Sequence, residues 1–172
     1  MARLFVLLAL LASLSACVGT PAINATQPPA AATPRFDPLT FFAGRLEGQG
    51  RLDTIFGSPR DVRVESNGRV EGGTLYLSQT IHEGGKPPRT REWVIRETEP
   101  GRYQGTLTDA DGAVMGDTFG NRLRLSFELD GGLPVQQWLT LSPDGARAYN
   151  EMTVRKFGIP VAKLAEDIRK ID

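Results

Sequence analysis

Apolar and polar residues alternate with a period of two along most of the chain after residue 35. The clearest run is 122–129, whose apolar face carries Leu123, Leu125, Phe127 and Leu129. Such alternation is typical of a β-strand with one face in a core and the other in solvent. Similar runs cover residues 61–65, 75–82, 90–97, 103–108, 135–141 and 146–157. The pattern predicts an all-β, mainly antiparallel fold.

Turn signals that contain glycine separate these runs. They are Asn67-Gly68, Gly84-Gly85, Pro100-Gly101, Asp111-Gly112, Gly120-Asn121, Gly131-Gly132 and Asp144-Gly145. Strands joined by short turns pair with their neighbours in sequence, so the chain should form a meander of about eight or nine strands. A sheet of that length closes or splits, and closure removes exposed edges. We therefore expect an up-and-down, calycin- or lipocalin-like β-barrel rather than a sandwich, with room inside for side chains or one small ligand.

The hydrophobic pattern changes period near the C-terminal end. After Pro160, the residues Val161, Leu164, Ile168 and Ile171 fall on one stripe of a helix. This spacing predicts a short amphipathic C-terminal helix. Acidic residues stand among the bases on its polar side, which favours packing against the barrel over binding to a membrane surface.

The N-terminal residues predict export and lipid attachment. Arg3 precedes an apolar run, Leu4–Leu14, that is too short to span a bilayer as a helix. The run ends in Leu14-Ser15-Ala16-Cys17, which resembles the lipobox of bacterial lipoproteins. The resemblance implies cleavage before Cys17, a diacylglycerol on its sulfur and usually an acyl group on its amine. The alternative is a plain secretory signal with an incidental cysteine.

The residues after Cys17 bear on localisation and on domain organisation. Val18 stands where an Asp would retain a lipoprotein at the inner membrane, so the resemblance implies the outer membrane, facing the periplasm. Residues 19–34 are rich in Ala, Thr and Pro and carry no charge, which is typical of a disordered tether. We expect a signal peptide at 1–16, a lipidated cysteine and tether at 17–34, and one barrel domain at 35–172.

Composition excludes several classes of function. The 172 residues include 20 Lys and Arg, 20 Asp and Glu, one His and one Cys, so the formal net charge is zero. A neutral chain without a basic stripe lacks the charge that nucleic-acid binding requires. One Cys and one His cannot form a disulfide framework or a structural zinc site. We expect a monomer with no metal and no cofactor besides the acyl groups on Cys17.

Motifs that suggest catalysis or cation binding are weak. His82 would have to be the base of a nucleophilic site, but no G-x-S-x-G motif accompanies it, so an exposed histidine at a hairpin end is favoured. Asp109, Asp111-Gly112 and Asp117 only partly resemble a calcium loop, since no Glu ends a twelve-residue loop. They are interpreted as turn and edge carboxylates. No catalytic residue is assigned.

Two series of glycines imitate functional motifs. The spacing of Gly112, Gly116 and Gly120 matches a G-x-x-x-G helix interface, but no apolar stretch surrounds it. Gly48-Gln49-Gly50 is not followed by a helix pattern, as a dinucleotide loop would be. The first series is interpreted as bulges or close backbone approaches within strands.

Large amphipathic side chains are the candidates for ligand binding. We expect the pocket-lining residues to be Tyr76, Arg91, Trp93, Tyr103, Trp138 and Asn150. Arg91 shares a strand face with Trp93 and Ile95. An internal Arg91 would meet a carboxylate or phosphate head group, because burying an unpaired Arg is costly. The alternative is an Arg at the rim that pairs with Glu97 or a neighbouring strand.

Several motifs together resemble one family. They are Phe36-Asp37-Pro38, Phe41-Phe42-Ala43-Gly44, Gly50, Tyr103-Gln104-Gly105-Thr106, Gly112, Gly116, Gly120-Asn121, Trp138, Asn150, Met152 and Lys156-Phe157-Gly158. The chain over 36–160 thereby resembles the bacterial lipoprotein family called domain of unknown function 3833. Thr108 departs from the family pattern, in which an acid precedes Asp109. The resemblance implies a periplasm-facing lipoprotein working near lipid metabolism, and it transfers no catalytic residues.

Three functional hypotheses follow. The first is a non-enzymatic lipoprotein whose barrel binds or chaperones an apolar molecule such as an acyl chain or lipid. The second is an envelope scaffold or assembly factor with a filled core that binds an unidentified protein partner. The third is a lipid-modifying enzyme or hydrolase that uses Asp109 or His82. A cavity of roughly 300 Å³ or more would favour the first.

Overall fold

The computed structural model describes residues 18–171, which form ten strands and one short helix. The predicted signal peptide and Cys17 lie outside this range. The helix, α1, spans Pro38–Phe41. The strands are β1 (Gly44–Thr54), β2 (Arg60–Glu71), β3 (Thr74–Glu83), β4 (Arg89–Glu99), β5 (Arg102–Leu107), β6 (Ala110–Phe119), β7 (Arg122–Leu129), β8 (Leu133–Leu141), β9 (Arg147–Lys156) and β10 (Ile159–Lys170).

The strands form one closed antiparallel barrel in the order β1-β10-β9-β8-β7-β6-β5-β4-β3-β2. The first and last strands close it, with a register that runs from Leu46 opposite Lys170 to Thr54 opposite Ala162. The prediction of an all-β, up-and-down barrel is confirmed. The barrel has ten strands rather than eight or nine. Seven of them match the alternating runs, whereas β1 and β6 contain glycines and lack a clear apolar alternation, and β10 has the pattern of a helix.

The predicted C-terminal helix is wrong, since residues 159–170 are β10. This strand hydrogen-bonds to β1 on one side and to β9 on the other. The inward-facing positions of β10 are Leu164, Glu166 and Ile168, so one of them is an acid. On the opposite face Ala165 and Asp167 are buried as well. Burial on both faces removes the alternation of apolar and polar residues that identifies a strand.

The two ends of the barrel differ. The end that carries the turns after β1, β3, β5, β7 and β9 is called the open end below, and the other is the closed end. At the closed end, Phe36, Phe41 and Phe42 are buried, and α1 lies just before β1. The Asp37 carboxylate caps α1 by accepting a 3.0 Å hydrogen bond from the Leu39 N–H.

Gly68 gives the closed end its close packing. A Cβ at this position would lie 1.9 Å from the carbonyl oxygen of Phe42, so only glycine lets β2 approach the chain that enters β1. The Lys170 ammonium group donates hydrogen bonds to the carbonyl oxygens of Thr40 (3.1 Å) and Ala43 (3.0 Å). These contacts fasten residues 36–43 across the closed end.

The N-terminal segment follows the outside of the barrel before it reaches the closed end. The Gln27 amide donates a hydrogen bond to Glu151 on β9, and the Phe36 N–H donates one to the carbonyl oxygen of Gly120. Residues 22–25 flank surface clefts beside β1, β2 and β10. Within residues 18–171, no helix has the length and hydropathy needed to cross a bilayer.

Candidate functional site

A cavity of about 100 Å³, partly open to solvent, lies inside the barrel. It separates two apolar clusters. The larger fills the barrel from the closed end and contributes Phe42, Leu77, Trp93, Ile95, Leu125 and Ile168 to the cavity wall. The smaller contributes Leu52, Val62, Val64, Ile81 and Leu164. Polar lining residues are Gln79, Glu83, Arg89, Arg91, Gln137, Asn150 and Glu166.

The most buried polar pair in the cavity wall is Asn150 on β9 and Glu166 on β10. Asn150 is 1% exposed and Glu166 is 4% exposed. The Asn150 Nδ2 group donates a 2.8 Å hydrogen bond to Oε2 of Glu166. Burial raises the pKa of Glu166, although the Asn150 hydrogen bond and the charge of Arg91 oppose the shift. A carboxyl with a raised pKa is able to hold a proton and donate a hydrogen bond.

Asn150 carries a second, unused hydrogen-bonding atom. Its Oδ1 is buried and has no hydrogen-bond partner among the protein atoms. Because buried polar atoms in folded proteins are nearly always hydrogen-bonded, an unpaired acceptor on a cavity-lining residue is unusual and calls for a functional explanation.

Gly48 on β1 makes room for this pair. It lies beside Glu166 across the closing strand pair, where a Cβ would be 2.0 Å from Oε1 of the carboxyl group. The motif Gly48-Gln49-Gly50 lies within β1, where Gly48 allows a close approach to the Glu166 side chain. The glycine lets a full carboxyl group lie against the barrel wall.

A second group of hydrogen-bonded side chains links β2, β3 and β4 in the barrel wall. The Trp93 indole N–H donates a 2.7 Å hydrogen bond to Oε1 of Gln79. The Gln79 amide in turn donates a 3.1 Å hydrogen bond to the Ser66 hydroxyl. Trp93 also packs edge-on against Phe127, with ring centroids 5.6 Å apart. These contacts fix the indole ring as one wall of the cavity.

Arg91 lies inside the barrel with an 11% exposed side chain. It is paired with Asp109, just after β5, and not with Glu97. The Arg91 Nε group donates a 2.8 Å hydrogen bond to Oδ2 of Asp109, and Arg89 donates to the same oxygen at 3.1 Å. Burial lowers the pKa of Arg91, while the charge of Asp109 opposes that effect. Asp109 Oδ1 is buried without a hydrogen-bond partner among the protein atoms. Arg91 is thus internal, and its partner is Asp109 rather than Glu97.

A cluster of charges stands at the open end beside the cavity. The Glu83 carboxylate contacts Arg60 at 2.6 Å and Lys86 at 2.7 Å. Partial burial raises the pKa of Glu83, but the hydrogen bonds and charges of the two bases outweigh it and hold the pKa below its ordinary value. The carboxylate therefore remains charged at the rim of the barrel.

Of the predicted ligand-binding residues, the cavity brings together Arg91, Trp93 and Asn150. Tyr103 is buried at 5% exposure but lies in the apolar cluster outside the cavity wall. Burial, followed by the nearby charges of Glu97 and Asp37, raises the pKa of Tyr103 to about 12.

The other two predicted residues do not line the cavity. The Arg69 guanidinium lies 4.8 Å from the ring centroid of Tyr76, beside the exposed end of β2. The Arg122 guanidinium lies 4.2 Å from the ring centroid of Trp138. Both aromatic residues alternate along their strands with inward-facing residues, so their rings lie on the outer surface of the barrel.

The residues considered for catalysis or cation binding do not assemble into a site. His82 lies on the outer face of β3, with its Nε2 atom 3.7 Å from the Glu65 carboxylate. Asp117 pairs with Arg124 at 2.6 Å, and Asp109 pairs with the two arginines described above. Within the part of the chain that the structure describes, no group of three or more His, Cys, Asp or Glu side chains is arranged to hold a metal ion.

Sequence reasoning missed the residues that complete the polar wall. The predicted C-terminal helix includes Glu166 only among its polar residues, and the predicted ligand-binding set does not contain Gln79 or Gln137. The sequence did contain an indication of both glutamines, because each stands among the apolar, inward-facing positions of its strand. Gln79 lies two residues from Leu77 and Ile81, and Gln137 lies two residues from Val135 and Leu139. A polar residue in the apolar phase of a barrel strand indicates an internal hydrogen-bonding group.

Comparisons with known proteins agree with this fold. A model of the family described as "Protein of unknown function (DUF3833)" matches residues 12–170. No curated protein sequence matches the chain.

Three solved structures are similar in fold. The S-type phycobiliprotein lyase CPES from Guillardia theta is 6% identical, with a TM-score of 0.60 over 78% of this chain and 90% of that chain. Rv2717c from M. tuberculosis is 15% identical, with a TM-score of 0.60 over 78% of this chain and 95% of that chain. A protein of unknown function from the DUF3598 family of Nostoc punctiforme is 11% identical, with a TM-score of 0.55 over 81% of this chain and 51% of that chain. At these identities the likeness concerns the calycin-like barrel alone.

Proposed function

The chain belongs to the DUF3833 family of proteins of unknown function, and from that premise we propose that its barrel binds one small amphipathic molecule. The observation that carries the proposal is the unpaired, buried Oδ1 atom of Asn150 in the wall of an otherwise mostly apolar cavity. Ligand sites in proteins are typically apolar pockets with a few fixed polar groups that orient the ligand.

The polar groups support a ligand whose head carries an O–H or N–H donor. Asn150 Oδ1 accepts such a donor, and a protonated Glu166 supplies a donor of its own. The nearby Arg91 adds a cation, although Asp109 already neutralises it. A hydroxyl, an amide or a protonated carboxyl group satisfies these requirements.

The apolar groups support a tail that points to the open end. Leu52, Val62 and Ile81 lie two residues from the ends of their strands at the open end, whereas Gln79 and Glu166 lie deeper in the barrel. A molecule with its polar head inside and its acyl chain towards the open end matches this order.

The cavity volume limits how much of the ligand is enclosed. About 100 Å³ is below the roughly 300 to 1,000 Å³ of pockets that enclose a whole drug-sized ligand. We therefore propose that the head group and the first part of an acyl chain are held inside, while the remainder extends through the open end.

Binding is testable with the purified full chain and a fluorescent fatty-acid probe. We expect saturable binding, and extraction of the protein should release a co-purified lipid. The substitution Asn150→Leu keeps the volume but removes the acceptor, so it should weaken binding at least about tenfold, or about 1.4 kcal/mol. The control is Tyr76→Phe, on the outer surface, which should bind like the unsubstituted chain.

Circular dichroism and thermal unfolding check that the Asn150→Leu barrel is folded. The proposal is contradicted if the probe does not bind to the unsubstituted chain. It is also contradicted if Asn150→Leu leaves probe binding unchanged. A probe that binds equally well to Asn150→Leu would indicate adsorption to the outer surface.

We further propose that the protein is a lipoprotein anchored by Cys17 in the outer membrane and facing the periplasm. The support is the lipobox-like run before Cys17 and the Val18 that follows it. Metabolic labelling with palmitate should mark the unsubstituted chain and not Cys17→Ser. Labelling that persists in Cys17→Ser would contradict lipid attachment at this residue, whatever the outcome of the binding experiment.

A protein partner is the second candidate function, and the outer surface of β6 to β8 favours it. Phe119 is 52% exposed, and its ring lies 6.1 Å from that of Trp138. Arg124 lies over the same two rings, at 5.5 Å and 5.9 Å. Exposed aromatic and arginine side chains of this kind are enriched at protein interfaces. Crosslinking from position 138 in cells tests for such a partner.

A further inference from the structure

Three large apolar side chains stand exposed on two adjoining turns at the open end. Phe56, between β1 and β2, is 84% exposed. Phe157 and Ile159, at the turn between β9 and β10, are 93% and 59% exposed. The turns are neighbours, since the Ile55 N–H donates a 3.1 Å hydrogen bond to the Val161 carbonyl oxygen. They form what we call the apolar tip, composed of Phe56, Phe157 and Ile159.

The backbone of Phe157 makes this exposure more informative. Phe157 has φ of 52°, and among residues 18–171 it is the one non-glycine residue with a positive φ. The left-handed region is unfavourable for a bulky side chain, and Asn-Gly is the ordinary choice for such a two-residue turn. Here Phe157 precedes Gly158, whose φ is 80°. A strained position occupied by an almost fully exposed Phe points to a role for the side chain outside the fold.

Charge is distributed unevenly around the open end. Counted from the last residue of one strand to the first of the next, the three turns at 54–60, 83–89 and 156–159 contain four bases, Arg60, Lys86, Arg89 and Lys156, and one acid, Glu83. The two turns at 107–110 and 129–133 contain Asp109 and Asp130 and no base. Arg60 and Lys86 contact Glu83, and Arg89 contacts Asp109, so the positive charge beside the apolar tip comes from Lys156 and the preceding Arg155. The Lys156 ammonium lies 5.8 Å from the Phe157 ring centroid.

We propose that the open end docks on the surface of a lipid bilayer that contains anionic lipids. The apolar tip enters the interface between head groups and acyl chains, and the flanking bases contact lipid phosphates. Aromatic side chains favour that interface, and basic residues near it are attracted by anionic head groups. The proposal goes beyond ligand binding, since it needs neither the cavity nor a lipid on Cys17.

The geometry favours a bilayer over a protein partner for this end. The apolar tip consists of side chains at turn ends, and the closed barrel presents no unpaired strand edge there. A stable protein interface requires a contiguous and complementary surface of roughly 1,000 Å² or more. A fluid lipid interface accommodates separate apolar points without such complementarity.

The test places a tryptophan at each end of the barrel in turn. The full chain is incorporated into liposomes of phosphatidylcholine and phosphatidylglycerol with brominated acyl chains, which quench tryptophan on contact. The open-end probe is Phe157→Trp, and the matched closed-end probe is Val70→Trp, at an exposed position beside the turn between β2 and β3. Fluorescence of the unsubstituted chain, from Trp93 and Trp138, is subtracted.

We expect quenching of the Phe157→Trp signal to be several-fold stronger than that of Val70→Trp. It should increase with the fraction of phosphatidylglycerol and decrease with added salt, because salt screens the flanking bases. Equal quenching at both ends, quenching at the closed end alone, or no quenching at either end would overturn the proposal.

A second variant separates docking from folding. Phe157→Asn places the preferred residue in the left-handed position, so it should fold at least as well as the unsubstituted chain. With Phe56→Trp as the reporter, adding Phe157→Asn should reduce quenching by brominated lipid several-fold. Unchanged quenching in this double variant would also overturn the proposal.

Discussion

Two hydrogen bonds join Asn121 and Ala31, and each residue donates one of them. The Ala31 N–H donates to Oδ1 of Asn121 at 2.8 Å, and the Asn121 N–H donates to the Ala31 carbonyl oxygen at 2.8 Å. The Asn121 amide also donates to the carbonyl oxygens of Pro29 (3.1 Å) and Leu141 (3.0 Å). One side chain, 2% exposed, therefore fastens residues 29–31 to the start of β7 and the end of β8.

Asn121→Ala should release the N-terminal segment from the barrel. The loss leaves the buried Leu141 carbonyl oxygen without this partner and releases the part-buried backbone groups of residues 29 and 31, at a cost of about 1–3 kcal/mol in the free energy of unfolding. Hydrogen exchange at Ala31 and Phe36 should become faster, while the barrel strands keep their protection. The control is Asn67→Ala at an exposed position of β2. Unchanged exchange at Ala31 would show that other contacts hold the segment.

Gly48→Ala should displace the Glu166 carboxyl group. The added Cβ would lie 2.0 Å from Oε1, so the carboxyl must move and lose its hydrogen bond from Asn150. We expect a loss of about 1–3 kcal/mol in the free energy of unfolding, measured with urea. Gly84→Ala is the matched control, because the nearest neighbour of its Cβ would be the Asp61 carbonyl oxygen at an ordinary 3.7 Å.

The Gly48 effect is assigned to Glu166 by a double-mutant cycle. In a Glu166→Ala background, the Cβ at position 48 meets no carboxyl group, so Gly48→Ala should have a smaller effect there. An equal loss in both backgrounds would show that strain in β1 itself is responsible.

Stability should decrease as pH rises because of Glu166. In the unfolded chain its pKa is the ordinary 4.5, and burial raises it in the folded chain. Between the two values the folded chain binds one more proton than the unfolded chain, so this contribution to stability falls as pH increases through that window. Glu166→Gln cannot ionise and should remove this decrease.

The comparison uses urea unfolding at about pH 5 and about pH 8, both above the ordinary pKa values of carboxyl groups. The free energy of unfolding of Glu166→Gln, relative to that of the unsubstituted chain, should be larger at the higher pH than at the lower pH. Glu128→Gln, at an exposed position of β7, is the control. A pH-independent difference would contradict the role of burial.

Tyr103 should ionise well above the ordinary pH range of a phenol. Its pKa is raised from 10.0 to about 12 by burial, by Glu97 and by Asp37. The folded chain therefore retains a proton that the unfolded chain loses, and stability falls as pH rises through this window. Ultraviolet titration should lose its highest phenol transition in Tyr103→Phe. A variant that keeps this transition would assign it to another tyrosine.

The barrel itself could be predicted from the sequence because most strands bury one face only. The run at 122–129 alternates without interruption and is β7 with the expected face inside. Five of the seven glycine-containing signals lie at turns, including Gly131-Gly132 with φ values of 87° and 70°, whereas Asn67-Gly68 lies within β2 and Asp111-Gly112 within β6. These are local properties, so one strand at a time is enough to recognise them.

The closing strand could not be predicted in this way. β10 lies between β1 and β9, and it buries Ala165 and Asp167 on the outer face as well as Glu166 inside. The Asp167 carboxylate is held by Arg147 and Arg169, each at 2.9 Å. Those partners are set by tertiary structure, so neither the strand nor its buried acids has a local signature.

The candidate site was predicted in part for a related reason. The shared face of Arg91 and Trp93 was correct, since both line the cavity. Tyr76 and Trp138 were chosen by residue type, although Leu75 and Leu77 on either side of Tyr76 already indicated that it faces outwards. Glu166 depended on the missed strand, and with it the hydrogen-bonded pair with Asn150.

The pairing of β1 with β10 has a consequence for the order of folding. Residues 46 and 170 become neighbours, so the barrel closes only after the whole length between them is available. Until then β1 and β9 each present an unpaired edge, and contacts between such distant residues form slowly. A chain still emerging from a ribosome or a translocon therefore cannot complete this fold, and it remains open to chaperones and to proteases until β10 arrives.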